Sequence, residues 1–147
     1  MINRNKPLKE SLTNEEYENI VRDATQFSDV SLPIWHLEIV GKCLVELSSF
    51  DLIRCIRQDV YTDLAIFEII ERIDEQNTPF YADLDSIELM EKLSSVSSER
   101  LSVYKKRIDR IIENIEKNNL IDLADIWIFD EEKATYKGYI NKLKNKF

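Results

Sequence analysis

Glycine and proline are scarce along the whole chain, and this scarcity limits the folds that it can adopt. The 147 residues include only two glycines and three prolines. Sheets and long loops depend on these residues for their turns, whereas helices joined by short links do not. An apolar content of 44% and this length suffice for one hydrophobic core. We therefore expect an all-α fold: a compact single domain over residues 1–147, with about seven to eight helices in stacked hairpins.

Capping residues and apolar periodicity predict where the helices lie. Thr13 begins a T-x-x-E capping box, which predicts a helix from there to about residue 25. The pattern predicts further N-caps at Ser31, Ser49 and Asp83, and a helix that starts at Tyr61 or Thr62. It also predicts a long amphipathic helix from Leu101 to Ile115, which Asn118 and Asn119 break, and a last helix carrying Tyr136, Ile140 and Leu143. The apolar segment LIDLADIWIF, residues 120–129, is expected to form a buried helix, with a strand as the alternative.

Acidic residues are concentrated in one stretch of the chain. From Asp59 to Glu91 there are ten acids and a single base, Arg72, which leaves 19 of the 20 bases and 18 of the 28 acids for the rest. Within this stretch Glu68, Glu71 and Glu75 are three and four positions apart, so they are expected to form an exposed stripe on the fourth helix. Asp85 and Glu88 are expected to share a face of the fifth helix in the same way. Such a surface favours a basic protein partner over nucleic acid.

Most residue patterns typical of enzymes are missing. The single histidine, His36, lies among apolar residues at helical spacing and is interpreted as structural. Cys43 and Cys55 are expected to be buried free thiols in a reducing compartment. The sequence has no Cys/His zinc pattern, no nucleophile elbow and no glycine-rich phosphate loop. We therefore expect neither catalysis nor a cofactor or metal, with an enzyme that binds a metal through paired aspartates as the remaining alternative.

The first residues, MINRNKPLKE, lack the apolar core of a signal peptide, and no apolar run approaches the ~20 residues of a membrane helix. A cytoplasmic protein is expected.

Residues 50–93 carry a pattern of three parts. Residues 51–58 match a D-L-R-x-L-I-x-Q-like helix, and residues 64–73 match a hydrophobic helix. Phe80 and Tyr81, followed by Asp83, Leu84 and Leu89, match an acidic loop with an aromatic residue leading into D-L-L-x-x-L. This pattern resembles that of the immunity proteins of contact-dependent growth inhibition (CDI). The chain lacks the glycines that the pattern usually carries after the glutamine and before D-L-L.

The resemblance implies a cytoplasmic antidote that binds the C-terminal toxin domain of a surface-delivered effector, one to one, and blocks it. Such toxins are commonly nucleases with basic clefts, and an RNase is the first expectation. The alternatives are an acidic DNA-mimic inhibitor and a helical adaptor protein whose charge serves solubility. The residues predicted to bind the partner are Asp59, Tyr61, Asp63, Glu68, Glu71, Glu75, Tyr81, Asp85 and Glu88.

Overall fold

Helices make up the regular structure of the chain in this computed structural model, which describes residues 2–76, 84–124, 127 and 129–147. The long helices are α1 (Asn14–Gln26), α2 (Ser31–Val40), α3 (Ser49–Arg57), α4 (Thr62–Gln76), α5 (Leu84–Ser95), α7 (Lys105–Lys117) and α9 (Asp130–Lys144). Two single turns lie between them, α6 (Ser98–Leu101) and α8 (Leu120–Leu123). No strand occurs in these ranges, where the only bridge joins Pro7 to Cys43. The all-α prediction is confirmed.

The observed helix starts lie at or next to the positions that local sequence signals predict. The capping box at Thr13 is confirmed: its Oγ1 accepts a hydrogen bond from the Glu16 amide at 3.1 Å, and its amide donates to Glu16 Oε1. The predicted caps of α2 and α3 are wrong by one residue, since Val30 and Ser48 occupy those positions. Ser48 forms a reciprocal box with Asp51, two hydrogen bonds that Ser49 would not provide. The cap predicted at Asp83 lies outside the described residues.

Two segments in the second half differ from their predicted structure. The helix expected from residue 101 is interrupted by a 3-10 turn, Ser102–Tyr104, before α7 begins. The break expected at Asn118 and Asn119 is confirmed, with Asn119 in the left-handed region.

The predicted buried helix over residues 120–129 is wrong beyond its first turn. Helix α8 ends at Leu123. Leu123 is 72% exposed and Phe129 is 61% exposed, so neither residue is buried. Ala124, which follows α8, is extended. Asp122 pairs with Lys133 and Lys137 of α9, and the Trp127 indole donates to the Ile121 carbonyl at 2.7 Å.

Helix α4 lies at the centre of the packing and thereby positions the acidic stretch. It packs against α3, α5 and α7, while α5 also packs against α9. Its buried apolar side chains are Ala65, Ile66, Ile69, Ile70 and Ile73. Little of its circumference is left to face solvent. None of the described helices has the length and apolar character needed to cross a membrane.

Candidate functional site

Glu68, predicted to be exposed, is completely buried and held by two arginines. Its side chain has 0% exposure. Its carboxylate accepts hydrogen bonds from Arg4 Nε at 2.7 Å, Arg4 Nη2 at 2.9 Å and Arg72 Nε at 3.1 Å. The predicted exposure is therefore wrong. The reason is that the N-terminal segment, bound to residues 42 and 45 by backbone hydrogen bonds, brings Arg4 to this carboxylate.

The neighbouring carboxylates of α4 are also paired within the chain. Glu75 and Glu71 contact Arg4 Nη1, and Glu71 and Asp74 contact Arg107. The carboxylates raise the pKa of both arginines, and the largest causes are the hydrogen bonds that Arg4 donates to Glu68 and that Arg107 donates to Glu71. We call this group the arginine–carboxylate network; its members are Arg4, Glu68, Glu71, Arg72, Asp74, Glu75 and Arg107.

The network explains much of the local excess of acid. Two of its arginines, Arg4 and Arg107, lie outside the acidic stretch in sequence and neutralise it in space. The idea that Glu71 and Glu75 contact a toxin stays a prediction, although their carboxylates already have partners.

The other predicted carboxylates are exposed, as expected. Asp59 accepts a hydrogen bond from the Thr62 hydroxyl and pairs with Arg100 at 3.1 Å, and these contacts lower its pKa. Within the described ranges, no lysine or arginine lies within ion-pair distance of Asp63, Asp85 or Glu88. These three side chains therefore present uncompensated negative charge. Tyr81, which is also predicted to contact the partner, lies outside the described residues.

Two grooves lie on either side of the junction between α5 and α6. One has a volume of about 390 Å³ and is lined by Ile53, Glu88, Glu91, Lys92 and Ser95. The other, of about 550 Å³, is lined by Asp63, Ser97, Glu99, Arg100, Val103 and Tyr104. Ser95, in the lining of the first groove, and Ser97, in the lining of the second, are separated by one residue in sequence. We define the acidic face as the exposed carboxylates at these grooves and next to them: Asp59, Asp63, Asp85, Glu88, Glu91 and Glu99.

Sequence reasoning missed two members of the acidic face. Glu91 is exposed and follows Glu88 by three positions, so the helical spacing that selected Glu88 could also have selected it. Glu99 gave no signal, because only the contact between α6 and the start of α4 brings it to Asp63.

The turn between α3 and α4 contains two residues in an unusual backbone conformation. Asp59 has a φ of 53° and Tyr61 a φ of 54°, in the left-handed region that favours glycine. Asp59 occupies the position after Gln58, and the family that the sequence resembles usually has glycine at this position. Aspartate is among the residues that tolerate the left-handed region.

Tyr61 is less available to a partner than the sequence suggested. It is half-buried, and its hydroxyl lies 2.9 Å from Nε2 of His36. Burial raises the pKa of Tyr61 to about 12 and lowers that of His36. The pair therefore joins α2 to the α3–α4 turn as a neutral contact, and partner binding by Tyr61 stays a prediction.

Asp59 allows a direct test of backbone strain. Asp59→Ala and Asp59→Gly both remove the contacts with Thr62 and Arg100, but only glycine relieves the left-handed conformation. We expect the glycine variant to be more stable than the alanine variant by about 1 kcal/mol. Urea unfolding followed by circular dichroism measures the difference. Equal stabilities, or a more stable alanine variant, would show that this position is not strained.

The exposed carboxylates of the acidic face are suited to binding cationic groups. Among the described residues, no group of three or more His, Cys, Asp or Glu side chains could hold a metal ion. The acidic face instead offers carboxylates that can accept charge-assisted hydrogen bonds from lysine and arginine side chains.

Comparison with known proteins agrees with the resemblance seen in the sequence. A family model described as CDI immunity proteins matches residues 16–122. Searches of curated proteins and of solved structures return no significant match. The family match covers more than half of the chain and includes every carboxylate of the acidic face, but neither Arg4 nor α9. The chain therefore belongs to the family of CDI immunity proteins.

Proposed function

We propose that this chain neutralises a nuclease toxin domain by binding its basic residues with the acidic face. Membership of the family implies toxin neutralisation. The observation that carries the proposal is that Asp63, Asp85 and Glu88 are exposed and uncompensated, although five of the nine described acids in the same stretch have arginine partners. Acids three positions apart on one helix repel each other by about 0.2–0.5 kcal/mol per pair. A basic partner would relieve that repulsion.

A nuclease fits this surface because it must bind phosphates. Nucleic-acid clefts collect lysine and arginine for that purpose, and a complementary acidic face would speed association and cover the cleft. We propose a one-to-one complex in the cytoplasm, without catalysis by the immunity protein, and an RNase as the toxin. DNA mimicry is less favoured, since the network already occupies the carboxylates of α4 that would have to imitate phosphates.

The test uses the C-terminal domain of a large secreted protein encoded directly upstream. Wild-type chain should restore growth of cells that produce this domain, bind it one to one in calorimetry, and stop its degradation of RNA. The double variant Asp85→Lys/Glu88→Lys should lose affinity by at least about 100-fold, since two attractive contacts become repulsive. The matched control is Glu15→Lys/Glu18→Lys, which reverses two exposed acids at the same spacing and at the corresponding helical positions near the start of α1.

Three results would contradict the proposal. The first is failure of the wild-type chain to bind the toxin domain. The second is wild-type affinity of the Asp85→Lys/Glu88→Lys variant at physiological salt with its melting temperature unchanged. A toxin domain that kills without degrading RNA or DNA would refute its nuclease identity.

A further inference from the structure

The groove between the start of α4 and the α6–α7 junction combines an exposed apolar surface with free carboxylates. We call it the α4–α6 groove; its lining residues are Asp63, Ser97, Glu99, Arg100, Val103 and Tyr104. Val103 is 79% exposed, the highest value among the large apolar side chains of the described ranges. Tyr104 is half-buried and packs its ring against Phe67, with centroids 6.5 Å apart. The groove therefore has a fixed aromatic wall beside an aliphatic side chain that faces solvent.

The charges of this groove do not cancel. Its base, Arg100, is bound by Asp59. Asp63 and Glu99 have no lysine or arginine within ion-pair distance in the part of the chain that the structure describes. Burial and the charge of Asp63 raise the pKa of Tyr104, so its hydroxyl stays protonated at neutral pH. Two carboxylates are left for a ligand.

The other groove, which lies beside α5, is less suited to binding a cation. Lys92 is one of its lining residues, so a positive charge is already present beside Glu88 and Glu91. An incoming cation would meet repulsion from Lys92 there. In the α4–α6 groove the corresponding base is engaged by Asp59.

A side chain that binds in the α4–α6 groove must match both the apolar and the acidic part of its lining. A purely apolar side chain would remove Asp63 and Glu99 from water without giving them a partner, which is costly. An anionic side chain would be repelled. Lysine and arginine have an aliphatic stem and a cationic head, so they can pack along Val103 and Tyr104 while the head contacts the carboxylates.

We propose that the α4–α6 groove is the docking site for one lysine or arginine side chain of the toxin domain. This deepens and rests on the proposed function: the acidic face attracts the toxin, and the groove selects a toxin that places a basic side chain at this point. The apolar wall adds a requirement of shape that a purely electrostatic surface lacks.

The test measures calorimetric affinity for the toxin domain encoded upstream, using full-length chain. Asp63→Asn/Glu99→Gln keeps the size of both side chains and removes their charge, and we expect about 10- to 100-fold weaker binding. Val103→Ser removes exposed apolar contact, and we expect about 3- to 10-fold weaker binding. Glu113→Gln is the matched control, an exposed acid on α7 outside the groove, and should bind as wild type does. Melting temperatures verify that all variants are folded.

The results distinguish failure of the groove proposal from failure of the proposed function. Wild-type affinity in both groove variants, with tight binding by wild-type chain, would overturn the groove and leave the proposed function intact. An equal loss in Glu113→Gln would also overturn it, because any surface acid would then serve. If wild-type chain does not bind the toxin domain, the proposed function fails and the groove proposal with it.

Discussion

Replacing Glu68 with alanine is expected to lower the free energy of unfolding by about 3 kcal/mol or more. The carboxylate is completely buried and accepts three hydrogen bonds from Arg4 and Arg72. Without it, two guanidinium groups whose side chains are only 22% and 18% exposed lose their shared counter-charge, and a cavity forms. Urea unfolding followed by circular dichroism measures the change.

A matched variant separates the effect of burial from that of losing an ion pair. Glu75→Ala removes another carboxylate that contacts Arg4, but the Glu75 side chain is 56% exposed. Exposed pairs contribute about 0–1 kcal/mol, so this variant should remain close to wild type. If Glu68→Ala costs no more than Glu75→Ala, the buried contact does not stabilise the fold as we infer.

This difference decides how toxin binding should be studied. A lysine in place of Glu68 would oppose Arg4 and Arg72 in a buried position, so lost binding in that variant would report unfolding. Reversals at Asp85 and Glu88 avoid the problem, because both side chains are exposed and lack a cation partner among the described residues.

The fold was predictable to the extent that it depends on local sequence. Scarce glycine and proline, the capping box at Thr13 and the apolar periodicity of α4 and α7 were sufficient for an all-α fold and for most helix positions. Local signals were insufficient where a side chain pairs with a residue that is distant in the sequence. The helix expected over residues 120–129 ends at Leu123, and the apolar pattern does not indicate the ion pairs of Asp122 with Lys133 and Lys137 of the following helix.

In the candidate site, too, local sequence predicted which residues share a helix face but not their distant partners. Helical spacing correctly placed Asp85 and Glu88 on an exposed face, and it correctly put Glu68, Glu71 and Glu75 on one side of α4. Spacing indicates which residues share a face, but not what covers that face. Arg4 is 64 positions from Glu68, so the pairing depends on how the N-terminal segment packs. Counting charge along the sequence therefore overestimated the free negative charge.

Raising the pH above 9 is expected to destabilise the protein steeply, with Cys55 as a major cause. The Cys55 side chain is 1% exposed, and burial raises its thiol pKa from 9.0 to about 12. Below pH 9 the thiol is neutral in both the folded and the unfolded chain, so stability there does not depend on it. Between pH 9 and 12 the unfolded chain releases the proton and the folded chain keeps it. The free energy of unfolding should therefore fall, by about 4 kcal/mol at pH 12 for this thiol.

The contribution of Cys55 can be isolated by comparing two cysteine variants over the same pH range. Cys55→Ala should cost stability at pH 7, because it leaves a cavity, yet lose less of its stability than wild type between pH 9 and 12. Cys43→Ala, which removes a half-buried thiol, should follow the wild-type curve more closely. Tyr61, whose pKa is raised to about 12 mainly by burial, destabilises all three proteins above pH 10. Because the charge of Cys55 also raises the pKa of Tyr61, Cys55→Ala reduces the contribution of Tyr61 as well, in the same direction as the expected effect. Parallel curves for wild type and Cys55→Ala would mean that the thiol ionises without unfolding the chain, and that the core around α3 admits water.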